Sequence, residues 1–246
     1  MATEIKERLS QITTHWTNVI KAHDVGSEKP TEILDARQSI LKRYGMPIKR
    51  YLLGATGDEL VAEELAQEFA FRFVRGDLKN ASPDKGRFRD YLKAVLRNIV
   101  NDYFRRKKKE KVQELLVDQF SQSSDPFIAL EQTFNEHWRE ELINNTWCLL
   151  KEHQESRRNW YFTVLRFRAD HPDLDSKAIA VQLSEKLPRP VSAAWVRQNL
   201  KRARTKFWSI LLTEVTRTLT PKATQEEIEN ELADLRLLKY AVGSGS

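Results

Sequence analysis

Apolar residues recur at intervals of three and four along almost the whole chain, a periodicity typical of amphipathic α-helices. No stretch alternates β-branched with polar residues and no series of glycine-marked hairpins occurs, so strands are not expected. Only eight glycines and eight prolines interrupt the 246 residues. The sequence therefore predicts an all-α protein with two helical domains joined by a flexible linker, and with an extra helix at each end.

The predicted domain boundaries follow breaks in this periodicity. The segment DQFSQSSDP at 118–126 has no helical pattern and is typical of a linker. The extra helices are predicted at 4–23 and 224–240. The predicted divisions are an N-terminal extension at 1–30, a first domain at 31–112, the linker at 113–126, a second domain at 127–218, and a C-terminal extension with a GSGS tail at 219–246.

Local signals predict where individual helices start and stop. Gly45 and Pro47 are expected to interrupt a helix that starts near residue 31. The segments TGDE at 56–59 and TQEE at 224–227 match the capping box, in which a hydroxyl caps a helix and a carboxylate three residues later reaches back. The breaker-rich segment GDLKNASPDKG at 76–86 predicts a loop.

The stretch from Gly86 to Lys109 combines a helical apolar pattern with cations and aromatic residues. Three cations a turn apart, Arg89, Lys93 and Arg97, form what we call the basic flank. Such a helix suits a polyanion, because cations neutralise phosphates and aromatic rings stack on bases. The alternative is an ordinary solvated face. The predicted core positions of this helix are Phe88, Leu92, Val95, Ile99 and Tyr103.

Positive charge is concentrated in two separated regions. The formal net charge is +6 and the sequence pI is about 9.3. Residues 37–112 hold nineteen Lys and Arg against ten Asp and Glu, and residues 190–219 hold six against one. The rest of the chain is net acidic, so the distribution favours two anion-contacting modules.

The second cationic region lies in the pattern of a helix-turn-helix at 176–207. Ser192 is a good N-cap for its second helix. Such a helix places its N-terminal residues at base edges in the major groove and its cations on phosphates. The residues expected at the bases are Ser192, Ala193, Ala194 and Gln198, and the cations expected on the backbone are Arg197, Lys201, Arg202 and Arg204.

Three stretches in this order resemble bacterial RNA polymerase sigma factors of the compact, two-domain, extracytoplasmic-function (ECF) type. AEELAQEFAFRF at 62–73 is similar to the polymerase-binding helix, and GRFRDYLKAVLRNIVNDYFRR at 86–106 to the promoter-melting helix. The pattern at 176–207 is similar to the family's domain 4 helix-turn-helix. The resemblance implies a sigma domain 2 at 31–112 and a sigma domain 4 at 127–218.

The resemblance also implies a role for each stretch. Glu63, Glu64 and Gln67 would bind the clamp of core RNA polymerase. The second domain would read the duplex −35 element, and the first would bind and help melt the −10 element, holding one flipped base. The residues implied around the −10 element are Lys79, Asn80, Arg87 and Asn98 at the base, Arg89, Lys93 and Arg97 on the melted strand, and Arg105 and Arg106 on flanking duplex.

Partners and location follow from the same resemblance. It implies core RNA polymerase and promoter DNA, duplex and melted, as partners, with an anti-sigma protein or another regulator as a further one. No apolar run approaches the roughly 20 residues of a membrane span. The single cysteine, Cys148, lies in the apolar run WCLL and is expected to be a core thiol in a reducing cytoplasm.

Two alternatives to a sigma factor were weighed. A helix-turn-helix regulator that is not a polymerase subunit explains 176–207 but leaves the acidic helix and the aromatic, basic helix without a role. An enzyme is not expected, because the chain has neither a phosphate-cradling glycine loop nor an HExxH pattern. No metal and no cofactor is predicted.

Overall fold

The computed structural model describes residues 30–75, 86–111, 126–220 and 223–241. Within these ranges the chain forms eight α-helices and one short 3₁₀-helix, with no strand, so the all-α prediction is confirmed. The helices are α1 Pro30–Thr56, α2 Glu59–Arg75, α3 Phe88–Lys111, α4 Pro126–Arg157, α5 Tyr161–Asp170, α6 Ser176–Lys186, α7 Ala193–Arg217 and α8 Gln225–Asp234, and the 3₁₀-helix is Leu238–Tyr240.

Several predicted segments lie outside the described residues. They are the N-terminal helix at 4–23, most of the loop at 76–86 and most of the linker at 113–126. The structure therefore leaves these predictions as they stand.

Helix α1 continues through Gly45 and Pro47, so the predicted interruption there is wrong. Proline removes one helical hydrogen bond and crowds the preceding turn, a cost of about 3 kcal/mol in a helix interior. Burial on both sides of Pro47 opposes this cost, because Tyr44, Ile48 and Tyr51 are almost inaccessible to solvent. Tertiary packing thus overrides the local breaker.

The N-terminus of α2 is capped by Asp58, and the capping box predicted from Thr56 is wrong. Asp58 Oδ1 accepts hydrogen bonds from the backbone N–H groups of Leu60 at 2.9 Å and Val61 at 3.3 Å. Thr56 instead ends α1, where its hydroxyl donates to the carbonyl of Leu52 at 2.9 Å. Gly57 makes the turn between the helices possible with a φ of +67°.

The second predicted capping box is confirmed. The Glu227 N–H donates to Thr224 Oγ1 at 3.2 Å, and the Thr224 N–H donates to Glu227 Oε2 at 2.6 Å. This reciprocal pair starts α8 at Gln225. The helix ends at Asp234 rather than near 240, and Arg236 follows with a left-handed φ of 53°.

The chain divides into two compact units. Of the described residues, the first unit comprises 30–75, 86–111, 126–141, 216–220 and 223–228, and the second comprises 142–215 and 229–241. The division within α4 differs from the predicted domain boundary near 126. The predicted domains remain functional predictions, because packing units need not coincide with functional ones.

The apolar interior of the first unit is rich in aromatic rings. Trp138 of α4 stacks on Tyr44 of α1, with ring centroids 4.4 Å apart and planes 7° apart. Phe88 of α3 lies 5.3 Å from Tyr44 and 6.3 Å from Trp138. In this structure residues 126–141 therefore pack on the apolar interior that α1 and α3 share.

In the second unit, α5, α6 and α7 surround one apolar cluster. The buried members of the cluster are Val164, Phe167, Ile179, Ala180, Leu183, Leu187, Val196 and Leu200.

Cys148 lies on the exposed side of α4, so the prediction of a core thiol is wrong. The helical periodicity around Cys148 places Thr146 and Leu150 inward instead.

None of the helices in the described ranges combines the length and the apolar character that crossing a membrane requires.

Candidate nucleic-acid interface

Helix α3 is rotated relative to the predicted orientation. Phe88, Leu92 and Ile99 are buried as predicted, and Leu96 is buried too, whereas Val95 is only half-buried. Arg89 is also buried, with 2% of its surface exposed. The buried stripe therefore includes one edge of the basic flank.

The basic flank faces the first half of α4. An Arg89 guanidinium nitrogen donates a 2.5 Å hydrogen bond to Asn135 Oδ1. Lys93 Nζ lies 2.9 Å from Asp90 and 3.6 Å from Glu131, and its side chain is 14% exposed. The Arg97 guanidinium lies 4.5 Å above the ring of Phe127. In this structure the flank therefore faces α4, and its predicted contacts with DNA stay predictions.

The exposed face of α3 carries two amides and a cation. Asn98, Asn101 and Arg105 are all exposed and lie three to four residues apart, which places them on one side of the helix. Amides form hydrogen bonds with base edges, and a guanidinium pairs with phosphate. Asn98 was among the predicted site residues, whereas Asn101 was not, although its spacing from Asn98 was available from the sequence.

The cations that end α3 are exposed and partly engaged. Arg105 donates to Asp102 Oδ1 at 2.6 Å, and Arg106 donates to Glu68 Oε2 at 3.0 Å. Donating this hydrogen bond to Glu68 raises the pKa of Arg106 above its already high ordinary value. Arg87 is half-buried before the start of α3. Lys79 and Asn80 lie outside the described residues.

Helix α2 exposes an acidic face flanked by apolar side chains. Glu63, Glu64 and Gln67 are exposed. Leu60 and Phe71 are 83% and 64% exposed, which is unusual for large apolar residues. The opposite face is held in the first unit by Ala62, Leu65, Phe69 and Phe73.

The two carboxylates at the centre of this face differ in their surroundings. Glu63 Oε2 accepts a hydrogen bond from Lys49 Nζ at 2.5 Å, and this contact raises the pKa of Lys49. Glu64 has no hydrogen-bond or ion-pair partner within the described part of the chain. The negative charge of Glu64 is therefore the more available to a partner.

In the second unit, the short connection between α6 and α7 is held by a serine. Val191 N–H donates to Ser184 Oγ at 2.9 Å, and Ser184 Oγ in turn donates to the carbonyl of Ala180 at 2.7 Å. Asp175 caps α6 through the N–H groups of Lys177 and Ala178. Ser192 caps α7 as predicted, accepting from the Trp195 N–H at 3.2 Å.

Helix α7 presents its predicted contact residues to solvent. Ser192, Ala194 and Gln198 are exposed and Ala193 is half-buried. Arg197, Lys201, Arg202 and Arg204 are exposed, and the described ranges supply none of these four with an ion-pair partner. The structure therefore places both predicted groups, the residues for base edges and the cations for phosphates, on the accessible side of one helix.

The described residues contain no cluster of three or more His, Cys, Asp or Glu positioned to hold a metal ion. Exposed amides and cations on α3 and α7, and an acidic face on α2, are typical of one class: helical proteins that bind a polyanion and dock on a second partner. Within that class, residues 40–110 match the family model of Sigma-70 region 2. The match supports an RNA polymerase sigma factor with a role in promoter recognition by the polymerase. Neither the curated proteins nor the solved structures gave a significant match to the chain.

Proposed function

We propose that the protein is a sigma factor of the ECF type, which binds core RNA polymerase, recognises the −35 and −10 promoter elements and helps melt the DNA. The observation that carries this proposal is the Sigma-70 region 2 match, which spans most of α1, all of α2 and nearly all of α3. Sigma factors are non-enzymatic initiation factors, so no catalytic residue is assigned. The site of action is the cytoplasm, with an anti-sigma protein or another regulator as a further partner.

The exposed face of α2 is the proposed polymerase-binding surface. Glu63, Glu64 and Gln67 supply carboxylates and an amide, and Leu60 and Phe71 supply apolar area beside them. An acidic centre beside apolar area suits a partner surface that carries cations and apolar side chains. This matches the resemblance, in which the partner is the cation-rich clamp of the largest polymerase subunit.

Helix α3 is the proposed reader of the melted −10 element. Asn98 is the exposed candidate for the flipped base, with Lys79, Asn80 and Arg87 from the segment before the helix. Extruding a base costs a few kcal/mol, which contacts with the extruded base must offset. Arg105 and Arg106 would hold flanking duplex phosphates, and the basic flank would hold the melted strand.

Helix α7 is the proposed reader of the −35 element. Its N-terminal residues and Gln198 would meet base edges, while its exposed cations hold the backbone on either side. The support is the exposure of these residues on a helix whose start is fixed by the Ser192 cap.

Promoter-dependent run-off transcription tests the proposed function. The protein is mixed with core polymerase that lacks any sigma factor, and promoter templates from its own genome are transcribed. We expect run-off products only when the protein and a promoter are both present. A regulator that is not a polymerase subunit would bind DNA without binding core polymerase and without supporting initiation. That outcome would refute the proposal of a sigma factor.

Replacing Arg197 with Ala is expected to weaken binding to a duplex that carries the upstream half of a transcribed promoter. If Arg197 contacts phosphate, the slope of log affinity against log salt should become shallower by about 1, because fewer counterions are released. Fluorescence anisotropy across a salt series measures both quantities. The control for net charge is Lys151→Ala, which removes one exposed cation of α4. An unchanged affinity and slope for Arg197→Ala would refute the assignment.

A further inference from the structure

Residues 126–141, the first half of α4, cover the basic flank, and we call them the cover segment. Each member of the flank contacts one residue of this segment: Arg89 contacts Asn135, Lys93 contacts Glu131, and the Arg97 guanidinium lies over the Phe127 ring. The flank residues advance by four along α3 while their partners retreat by four along α4. That register is the one expected where antiparallel helices pack side by side.

The cover segment offers the flank the same chemistry that a nucleic-acid strand would offer. The Glu131 carboxylate takes the place of a phosphate, the Asn135 amide oxygen takes the place of a base or backbone acceptor, and the Phe127 ring takes the place of a stacked base. A strand and the segment therefore compete for the same three cations. Both cannot occupy the flank together, because Arg89 is 2% exposed while the segment is in place.

The opposite face of the cover segment holds it to α1. Trp138 stacks on Tyr44, and Phe134 makes an edge contact with Tyr51 at 5.7 Å. Burying such rings contributes far more to stability than a partly exposed ion pair does. The apolar face thus supplies most of the energy that holds the segment on α1. The polar face occupies the three cations and keeps a nucleic-acid strand from them.

The connection between α3 and the cover segment is long enough for the segment to leave the flank. Fourteen residues, 112–125, separate the two helices. A chain of that length can span roughly 45 Å when extended, at about 3.3 Å per residue. Departure of the segment from the flank is therefore compatible with the connectivity.

We propose that the cover segment is an autoinhibitory element that blocks single-stranded DNA from the basic flank in the free protein. This inference rests on the proposed function, in which the flank holds the melted strand. The affinity of the free protein for a strand is then reduced by the fraction of molecules in which the flank is uncovered. An event that moves the segment, such as docking on the polymerase, raises that affinity without any change in the flank itself.

The test compares two triple variants of the full-length chain. The contact variant carries Phe127→Ala, Glu131→Gln and Asn135→Ala. The control variant carries Gln132→Ala, Thr133→Ala and Glu136→Gln, which alter the exposed side of the same helix and change the net charge equally. Binding of a labelled oligothymidine is measured by fluorescence anisotropy, and circular dichroism establishes that both variants are folded.

We expect the contact variant to bind the oligonucleotide about threefold more tightly or better than the wild type and the control variant, because the three groups that compete with the strand for the flank have been removed. Adding Lys93→Gln to the contact variant should remove most of this gain. The contact variant could bind like the control while Lys93→Gln alone weakens binding. That result would refute the autoinhibitory role of the cover segment and leave the flank's role in DNA binding in place. If Lys93→Gln has no effect in either background, the flank does not hold DNA, and both assignments fail.

Hydrogen exchange on the wild-type protein gives a second readout that needs no variant. With saturating oligonucleotide, amides of residues 126–141 should lose protection while amides of α3 keep theirs. Unchanged protection of residues 126–141 in the bound state would overturn the proposal, because the segment would then be a permanent part of the fold.

Discussion

Replacing Glu64 with Lys is expected to weaken binding to core RNA polymerase roughly tenfold or more, a loss of about 1.4 kcal/mol for each factor of ten. Glu64 is exposed on α2, so the substitution should leave the fold intact. Its carboxylate lies between exposed apolar side chains, where a partner would exclude water and strengthen any charge interaction. In the proposed complex, reversing that charge would place a cation against the cationic clamp of the polymerase. Surface-immobilised polymerase and a titration of each variant measure the change.

The double variant Glu63→Lys and Glu64→Lys should abolish polymerase binding altogether. Glu63→Lys alone carries a second effect, because Glu63 accepts a hydrogen bond from Lys49 and its replacement brings two cations together. The single Glu64→Lys variant breaks no hydrogen bond or ion pair among the described residues and changes only a longer-range interaction with Arg106. Comparing the two variants separates loss of the interface from local rearrangement between α1 and α2.

A double charge reversal on α4 is the control for this experiment. Glu152 and Glu155 are also exposed, so Glu152→Lys with Glu155→Lys changes the net charge by the same amount on a different helix. This control should bind polymerase like the wild type. Normal binding by the Glu63 and Glu64 double variant would show that the polymerase surface lies elsewhere.

Replacing Trp138 with Ala should lower the free energy of unfolding of the first unit by about 3–5 kcal/mol, the range for removing a large buried aromatic side chain. Trp138 is buried, stacks on Tyr44 and lies near Phe88 and Phe134. Its loss would leave a cavity among three helices that are too tightly packed to close it fully. Urea unfolding followed by far-ultraviolet circular dichroism measures the change.

Trp138→Phe distinguishes ring packing from hydrogen bonding as the source of this stability. Among the described residues, the Trp138 indole nitrogen has no hydrogen-bond partner. Phenylalanine keeps a ring that can stack and loses no hydrogen bond. Trp138→Phe should therefore lower the free energy of unfolding by less than half as much as Trp138→Ala does. Equal losses for the two variants would contradict the packing explanation.

The sequence was informative wherever a helix depends on its own periodicity and on neighbouring residues. Ile179, Leu183, Val196 and Phe207, which recur at helical spacing in the helix-turn-helix pattern, are buried. The Ser192 cap and the Thr224–Glu227 capping box are formed as predicted. All of these features rest on interactions within a few residues of sequence, which pattern reasoning can evaluate.

Predictions that depended on distant packing were less accurate. Pro47 was expected to break α1, but buried side chains around it keep the helix continuous. The packing of the cover segment against the basic flank was not predicted. A signal was available in hindsight, because Phe127, Glu131 and Asn135 recur at the same four-residue interval as the flank. Nothing in either segment alone says that the two helices pair.

The sequence by itself determined that this chain is helical, that its positive charge lies in two regions, and that three stretches resemble a sigma factor. Those properties are local, since they follow from residue type and spacing along one helix. Only the tertiary structure decided which cations are accessible. Arg89 and Arg197 occupy comparable positions on basic helices, yet one is buried against Asn135 and the other is exposed. That difference arises because burial depends on which distant helix packs alongside, and apolar contacts such as Trp138 on Tyr44 make that choice.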